Sequence, residues 1–308
     1  MRGVLRSILC ATAVVAVSSA ALGQSEPKTS EGPASASPIA APAPPAPILR
    51  RFANNPDRFR LIGEIASIEW PIYLTDAQAN GPLRFRLGYV TAVSVMPEAS
   101  TLKVTINGST IATMQILATP QERIVEFDMP TSLMKPGFNS VRISADQRHR
   151  VDCSLAATYE LWTQIDPAAS GLLLPADDRG PTSLADLPAL SPDDRGAMPI
   201  RAVLPANATA ADVERMLRAA QAITLAGRFA QPLIDFGPPA AGAGLNLVIG
   251  ARTQVAETLG DGVGSGAEPK VFMQAARLGR RATLVVTGSD GAQLDEALSE
   301  LAPGEAPK

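Results

Sequence analysis

The hydrophobic pattern of the chain changes period near residue 199, and this change constrains the fold more than any other feature. Between residues 49 and 166, apolar residues alternate with polar ones in short runs such as "GPLRFRLGYV". A two-residue period is typical of half-buried strands. After residue 199, continuous apolar runs alternate with helical patterns. The sequence therefore predicts two differently built domains in series, a β domain followed by an α/β domain.

Short strands and turn signals organise the β domain. The stretch "TLKVTINGSTIATMQI" has two apolar-rich runs around Asn107 and Gly108, a dipeptide that accepts the positive φ angles of a type I′ turn and predicts a hairpin. "RIVEFDMP" and "NSVRISAD" show the same two-residue period, with turn signals at residues 80–82 and 135–137. Strands at this spacing favour an antiparallel jelly-roll β-sandwich over residues 49–166.

The α/β domain is predicted over residues 199–303. "IRAVLP", "LNLVIGA" and "RATLVVTG" read as buried strands, and "TAADVERMLRAAQAITLAG" reads as a helix with Thr209 as its N-cap. The apolar stripe predicted for this helix consists of Val213, Met216, Leu217, Ala220 and Ile223. Ser289 and Asp290 are expected to cap a last helix. This alternation indicates a parallel, doubly wound sheet, joined to the sandwich by a loop-rich linker at residues 167–198.

The first 48 residues read as an export signal and a tether. Arg2 and Arg6 precede a short apolar segment at residues 8–17, and small residues favour cleavage after Gly23. An uncleaved anchor is the alternative. Residues 24–48 are rich in Pro, Ala and Ser and predict a disordered tether. We therefore expect an exported, periplasmic chain that is soluble as given.

Composition excludes some functions. The chain of 308 residues is 46% apolar and 19% charged, enough to build real cores, and its formal net charge is -3. That charge gives no electrostatic reason to expect nucleic acid as a partner.

The stretch "QRHRVDCS" holds the single histidine of the chain, His149, and Cys153, the one cysteine that remains after cleavage. A nucleophilic pair of the two is disfavoured, because four residues of a strand span about 13 Å. The paired spacing of a zinc site is also missing. We expect a structural motif in which His149 or Asp152 bonds to the backbone while Arg148 and Arg150 pair with carboxylates. A polar ligand surface or an interdomain surface is the alternative.

All five Trp and Tyr residues lie in the β domain. Flat aromatic rings can stack on the C–H faces of sugars. Trp70, Trp162 and Tyr159 are therefore candidate sugar contacts, and the alternative is that these rings fill the core of the sandwich.

No catalytic residue, cofactor or metal is predicted. "GAGLNL" has Leu247 where a dinucleotide fingerprint needs its third glycine, and "GDGVGSG" lacks the Lys-Ser/Thr of a phosphate loop. Carboxylates are available for glycoside hydrolysis, but no pattern in the sequence pairs them. They are Glu64, Glu69, Asp76 and Glu160.

The string "QRHRVDCSLAATYELWTQID", residues 147–166, resembles the periplasmic B subunit of bacterial cellulose synthase, the BcsB family. "AVSVMPEASTLKVTINGSTIATMQI" resembles that family's first β domain. "MPIRAVLPANATAADVERMLRAAQAITLAGRF" and "LNLVIGAR" resemble the domain that follows it. The resemblance extends over about residues 50–302.

The resemblance implies a carbohydrate-binding-type jelly roll followed by a flavodoxin-like domain, a pair that the family repeats. It implies a non-catalytic subunit that supports the membrane-embedded catalytic A subunit and guides the emerging β-1,4-glucan. The family ends in a C-terminal transmembrane helix, which this sequence lacks, so we expect either a fragment or a shortened relative, associated with the membrane through the complex or through a missing helix.

The family is also labelled as binding cyclic di-GMP. "RLGRR", residues 277–281, matches half of a known receptor motif for that nucleotide, but the second half does not follow, so we interpret the match as coincidence. Two other functions remain open at this point: a freestanding periplasmic polysaccharide-binding protein and a glycoside hydrolase.

Overall fold

The computed structural model describes residues 46–52, 59–119, 121–151, 154, 156–260, 269–274 and 281–301. These residues all fall within one compact unit, Pro45–Lys308. The predicted export signal and almost all of the tether lie outside the described residues, as do Asp152, Cys153 and most of residues 260–266 and 277–281.

The first part of the described chain consists of strands and one short helix. In chain order they are β1 (Ile48–Arg51), β2 (Arg60–Ile62), β3 (Ile65–Leu74), α1 (Asp76–Ala79), β4 (Leu83–Thr91), β5 (Thr101–Ile106), β6 (Ser109–Gln115), β7 (Arg123–Met129), β8 (Gly137–Asp146) and β9 (Trp162–Leu174).

These strands form two antiparallel sheets that pack face to face. One sheet has the order β1-β9-β4-β7, with β2 also pairing with β9, and the other has the order β3-β8-β5-β6. Alternate residues of each strand point inward and fill a single core between the sheets, as Phe85, Leu87 and Tyr89 do on β4. The predicted antiparallel β-sandwich is confirmed. The hairpin between β5 and β6 turns at Asn107 and Gly108, which both have positive φ angles, as a type I′ turn requires.

The sandwich extends further along the chain than the sequence predicted. The prediction ended it at residue 166, but β9 continues to Leu174, because its second half pairs with both β1 and β4. This stretch contains Pro167 and Gly171, which disfavour a regular strand. In the structure they lie in a strand whose register with β4 shifts between Arg86 and Gly88, and such an irregularity accommodates proline and glycine.

The connection that follows packs against the sandwich through one buried arginine. It contains a 3-10 segment, Leu184–Ala189, in which Leu187 is buried. The guanidinium of Arg50 donates to the Oε1 of Gln78 and to the carbonyl oxygens of Tyr73 and Ala189. Burial lowers the pKa of Arg50 to about 10, so this side chain stays charged at neutral pH.

The last part of the chain is an α/β domain. Its elements are β10 (Met198–Val203), α2 (Ala210–Gly227), β11 (Pro232–Phe236), β12 (Leu245–Ala251), α3 (Arg252–Leu259), β13 (Lys270–Gln274), β14 (Ala282–Gly288) and α4 (Gly291–Ser299). The sheet order is β11-β10-β12-β14-β13. The strands are parallel except for β13, which is antiparallel to β14 and was not predicted.

Both faces of this sheet carry helices. The buried residues of α2 and α4 cluster with one face, and Val255 of α3 packs with Val203, Val248 and Val285 on the other. Thr209 and Asp290 cap α2 and α4 as predicted. Leu217 is an exception to the predicted stripe, because it is exposed, and Ala219 is buried in the stripe instead.

Among the described residues, no helix has the length and apolar character needed to cross a membrane.

Candidate functional site

Trp70, a predicted glucan contact, lies in the core of the sandwich. It is only 2% exposed, and its ring stacks on Phe52 at 4.9 Å and on Phe59 at 5.0 Å between centroids. Its Nε1 is buried and has no hydrogen-bond partner. Trp70 therefore cannot stack on a sugar at the surface, and that prediction is wrong. This stack could not be read from the sequence, because Phe52 and Phe59 come from other segments of the chain than Trp70.

The other two predicted aromatic contacts lie where four loops meet at one end of the sandwich. We call this surface the loop end and define it as residues 62–65, 92–96, 147–151 and 159–162. Backbone hydrogen bonds join its segments: the Gly63 N–H donates to Leu161, the Ala92 N–H to Trp162, and the Met96 N–H to Arg148. The loop end is thus a single ordered surface, although its parts are distant in sequence.

Apolar side chains project from the loop end into solvent. Tyr159 is 77% exposed, and the members of this exposed set are Ile62, Ile65, Val93, Val151 and Tyr159. Clustered apolar exposure of this kind is typical of a binding surface, whereas single exposed apolar residues are normal.

Trp162 borders this set but is only partly exposed. Its ring packs against the core, and the guanidinium of Arg60 lies 4.2 Å from the ring centroid. This cation–π contact fixes the plane of the ring and covers one of its faces. Trp162 is therefore held in place at the border of the exposed set, with only part of its surface accessible.

The "QRHRV" part of the loop end holds the loops together. The Nε2 of His149 lies 3.2 Å from the Oε2 of Glu160, and its Nδ1 accepts a hydrogen bond from the Val151 N–H. Arg148 pairs with Asp146 at 2.8 Å, and the Arg150 N–H donates to Ser94. These contacts support the predicted structural role of His149 and Arg148. The Nε of Arg150 donates to the Val95 carbonyl oxygen, so the described contact of this side chain is to the backbone and not to the predicted carboxylate.

Gln147 is a structural residue of the same stretch that the sequence analysis missed. Its side chain is buried, donates to the Gly63 carbonyl oxygen, and accepts from the Thr163 hydroxyl, while its N–H donates to Glu64. Gln147 follows directly after the alternating strand β8, and a polar residue in that position could have indicated a buried side chain that connects two loops by hydrogen bonds.

The α/β domain contacts the opposite end of the sandwich. Strand β3 begins at Ile65 in the loop end and finishes at Leu74, about 30 Å away. Next to its last residues, Tyr73 packs edge-on against Phe138 at 5.1 Å, and the Arg228 guanidinium of the α/β domain lies 4.5 Å from the Phe138 ring centroid. The contacts of Arg148 and Arg150 described above stay within the sandwich, so they do not support the predicted interdomain surface.

A cleft of about 490 Å³ lies near the junction between α1 and the connection. The Nε2 of buried Gln78 donates to both carboxylate oxygens of Asp178 at its wall. Its charged lining residues are Asp76, Asp177, Asp178, Arg179 and Asp186. The lining is predominantly acidic, and two of its polar residues, Gln78 and Asp178, are paired with each other.

Neither Glu69 nor the pair Glu122 and Asp166 has the properties of a glycosidase carboxylate pair. Hydrogen bonds from Ser140 and Arg142 lower the pKa of Glu69, the opposite of what a general acid needs. Burial, followed by a hydrogen bond with Asp166, raises the pKa of Glu122. That direct bond leaves the two carboxyl groups closer than the roughly 5 Å at which glycosidase carboxylates flank a sugar bond. In the described part of the chain, no group of three or more His, Cys, Asp or Glu residues is placed to hold a metal ion.

Comparison with known proteins gives one family match. Residues 49–177 match the family model described as "Cellulose synthase BcsB, first CBM domain". No curated protein matches the chain.

Similar solved structures include two carbohydrate-binding modules. A family 35 carbohydrate binding module from an environmental isolate is 20% identical, with a TM-score of 0.22, and covers 37% of this chain and 72% of its own. CBM35 from Cellvibrio japonicus Abf62 is 16% identical, with a TM-score of 0.23, and covers 43% of this chain and 88% of its own. TM-scores at this level do not establish a shared fold.

Proposed function

We propose that the chain is a non-catalytic periplasmic component of a cellulose synthase complex that binds the β-1,4-glucan, because residues 49–177 match the model of the first CBM domain of the BcsB family. The family match is the observation that carries this proposal. The carbohydrate-binding part rests on the domain type, and the role within a synthase rests on the subunit in which that domain occurs.

The loop end is the surface that best suits a glucan. Tyr159 presents a free ring, and Trp162 presents a ring whose orientation is held by Arg60. Aromatic faces contact the C–H faces of sugars, while neighbouring polar groups such as Glu160 can bond to hydroxyl groups. The side chains of the "QRHRV" stretch then serve as the support that keeps these rings in place.

The α/β domain fits a supporting role better than a nucleotide-binding one. Its sheet has the helices on both faces that the flavodoxin-like assignment requires, and that assignment remains part of the proposal. Asp212 and Asp290 accept hydrogen bonds at the N-termini of α2 and α4, where a phosphate would otherwise bind. A carboxylate at that position repels an anionic ligand, so we assign no cofactor and no cyclic di-GMP to this domain.

The membrane-embedded catalytic A subunit is the proposed partner, and the periplasm at the inner membrane is the proposed location. Membrane association would come from the complex or from a helix beyond this sequence. Copurification of the native protein with a membrane glycosyltransferase would support this. Retained glucan binding without copurification would instead favour a freestanding polysaccharide-binding protein.

Glucan binding is tested by titrating the full chain with cellohexaose in a calorimeter. We expect Tyr159→Ala to weaken binding about tenfold, because a solvent-exposed stacking ring is lost. Leu225→Ala is the control, since Leu225 is a large apolar side chain exposed on α2 of the α/β domain and lies in neither proposed interface. Equal losses in both variants, or no binding by the unaltered chain, would contradict the assignment of the loop end.

A further inference from the structure

The edge strand β11 is an unprotected strand with an apolar sequence, "PLIDF". Leu233, Ile234 and Phe236 are 55%, 41% and 51% exposed, respectively. On the side away from β10, no described strand pairs with it. Edge strands are usually protected by charges, a bulge or proline, because their free backbone groups pair readily with another chain, and the proline of β11 is its first residue, Pro232. The single charge of β11, Asp235, is paired with Arg201 at 3.0 Å.

The pairing with β10 decides which backbone groups of β11 face outward. The Met198 N–H donates to Gln231, and the Gly237 N–H donates to Ala202. In a parallel ladder, successive residues face opposite sides, so Leu233 and Asp235 also face β10. The backbone groups of Pro232, Ile234 and Phe236 therefore face the open edge.

One donor is missing from that edge, and one acceptor is already occupied. Pro232 has no N–H, and the Phe236 carbonyl oxygen already accepts from the Nη1 of Arg201 at 3.3 Å. What remains is a donor and an acceptor on Ile234, an acceptor on Pro232 and a donor on Phe236.

This set of groups complements itself about a two-fold axis at Ile234. In an antiparallel pair, Ile234 would exchange both of its hydrogen bonds with Ile234 of a second copy. The Phe236 N–H of each copy would then donate to the Pro232 carbonyl of the other. A regular ladder would contain two more bonds, from the N–H of residue 232 in each copy to the Phe236 carbonyl oxygen of the other. Proline has no N–H, and Arg201 already occupies that oxygen. Each remaining edge group at these three positions therefore has a partner in the dimer.

The side chains of β11 are also compatible with this antiparallel pairing centred on Ile234. Ile234 and Phe236 align with Ile200 and Ala202 of β10, on the face that α2 covers. Across the axis, Ile234 would pack against its own copy, and Phe236 would lie beside Pro232. Asp235 would lie opposite Leu233, so no like charges would face each other directly.

We propose that β11 is a homodimerisation strand, through which two copies of this chain join their α/β sheets into one continuous sheet. The interface is isologous, with the same strand contributed by both copies. It lies on the α/β domain, whereas the proposed glucan surface lies on the sandwich, so the two proposals can fail independently.

The test is sedimentation of the full chain over a range of concentrations. We expect a monomer–dimer equilibrium for the unaltered chain and a loss of dimer affinity of about 100-fold for Ile234→Glu, because the register places two like charges opposite each other. Ile124→Glu, at an exposed edge position of the sandwich, is the matched control and should leave the dimer intact. Circular dichroism and thermal unfolding check that each variant is folded.

The strand register of the proposed dimer is tested by mixing two oppositely charged variants of residue 234. Neither Ile234→Glu nor Ile234→Lys should dimerise alone, but an equimolar mixture should restore the dimer, because residue 234 then faces an opposite charge. A chain that stays monomeric at every concentration would overturn the proposal. A dimer that survives Ile234→Glu, or one that the mixture fails to restore, would overturn the register and with it the assignment of β11.

Discussion

At the residue scale, the two tryptophans of this chain have different roles despite similar sequence surroundings. Trp70 lies between Phe52 and Phe59 in the core, and Trp162 lies at the edge of the loop end under Arg60. Each follows a glutamate by one or two positions. Burial, and not sequence context, decides which of them can meet a ligand.

This difference gives a stability prediction. Trp70→Ala should lower the free energy of unfolding by about 3–5 kcal/mol, because it removes a buried ring and leaves a cavity. Trp70→Phe should cost much less, since it keeps an aromatic partner for the stack and removes an indole N–H that has no acceptor. Denaturant unfolding measures both. If Trp70→Ala changed the free energy of unfolding only slightly but abolished cellohexaose binding, the burial of Trp70 would be contradicted and a surface position would be supported.

At the element scale, helix α2 begins at a reciprocal cap. The Thr209 hydroxyl accepts from the Asp212 N–H, and the Asp212 carboxylate accepts from the Thr209 N–H. The backbone hydrogen bond from Thr209 is the main cause of the lowered pKa of Asp212, and Arg215 adds to it. The cap is therefore both a local helix signal and a stabilising charge interaction.

Thr209→Ala should destabilise the domain by about 1 kcal/mol, the usual cost of losing a cap. Because the pKa of Asp212 is lower in the folded state, its contribution is present above the ordinary aspartate pKa and is lost as pH falls through the lowered value. Thr209→Ala keeps the backbone N–H but removes the hydroxyl that also donates to the Asp212 carboxylate, so its difference from the unaltered chain should shrink in acid. Thr258→Ala, which removes a hydroxyl that bonds inside α3, is the control. A pH-independent difference would argue against the cap.

At the scale of the whole molecule, the last turn of α2 joins the two domains. Arg228 ends the helix with a φ angle of 53°, in the left-handed region that favours glycine. That backbone places its guanidinium over Phe138 of the sandwich. Arg228 therefore adopts a backbone conformation that is unfavourable for a non-glycine residue, at a position where its long cationic side chain makes an interdomain contact.

A double-mutant cycle of Arg228→Gly and Phe138→Leu should show a coupling of about 0.5–1 kcal/mol in thermal or denaturant unfolding. Arg228→Gly alone loses the contact but also removes the strain of a left-handed φ angle at a non-glycine residue. The change in the free energy of unfolding for this single variant should therefore be smaller than the coupling energy suggests. A coupling near zero would mean that the two domains are held together by the connection and Arg50 rather than by this contact.

Local signals in the sequence determined the two domain types, the hairpin at Asn107 and the caps at Thr209 and Asp290. Hydrophobic periods, turn dipeptides and caps depend on neighbours within a few residues, so they can be read directly. The resemblance to the BcsB family, confirmed over residues 49–177, was also present in the sequence alone.

Only the tertiary structure decided which residues are exposed and which segments meet. The burial of Trp70, the assembly of the loop end from four separate segments and the continuation of β9 to Leu174 depend on partners far along the chain. The open edge of β11 depends on the order of strands in the sheet. A linear sequence carries these pairings only through the packing of the whole domain, because the free energy that selects them comes from surfaces that meet after the chain has folded.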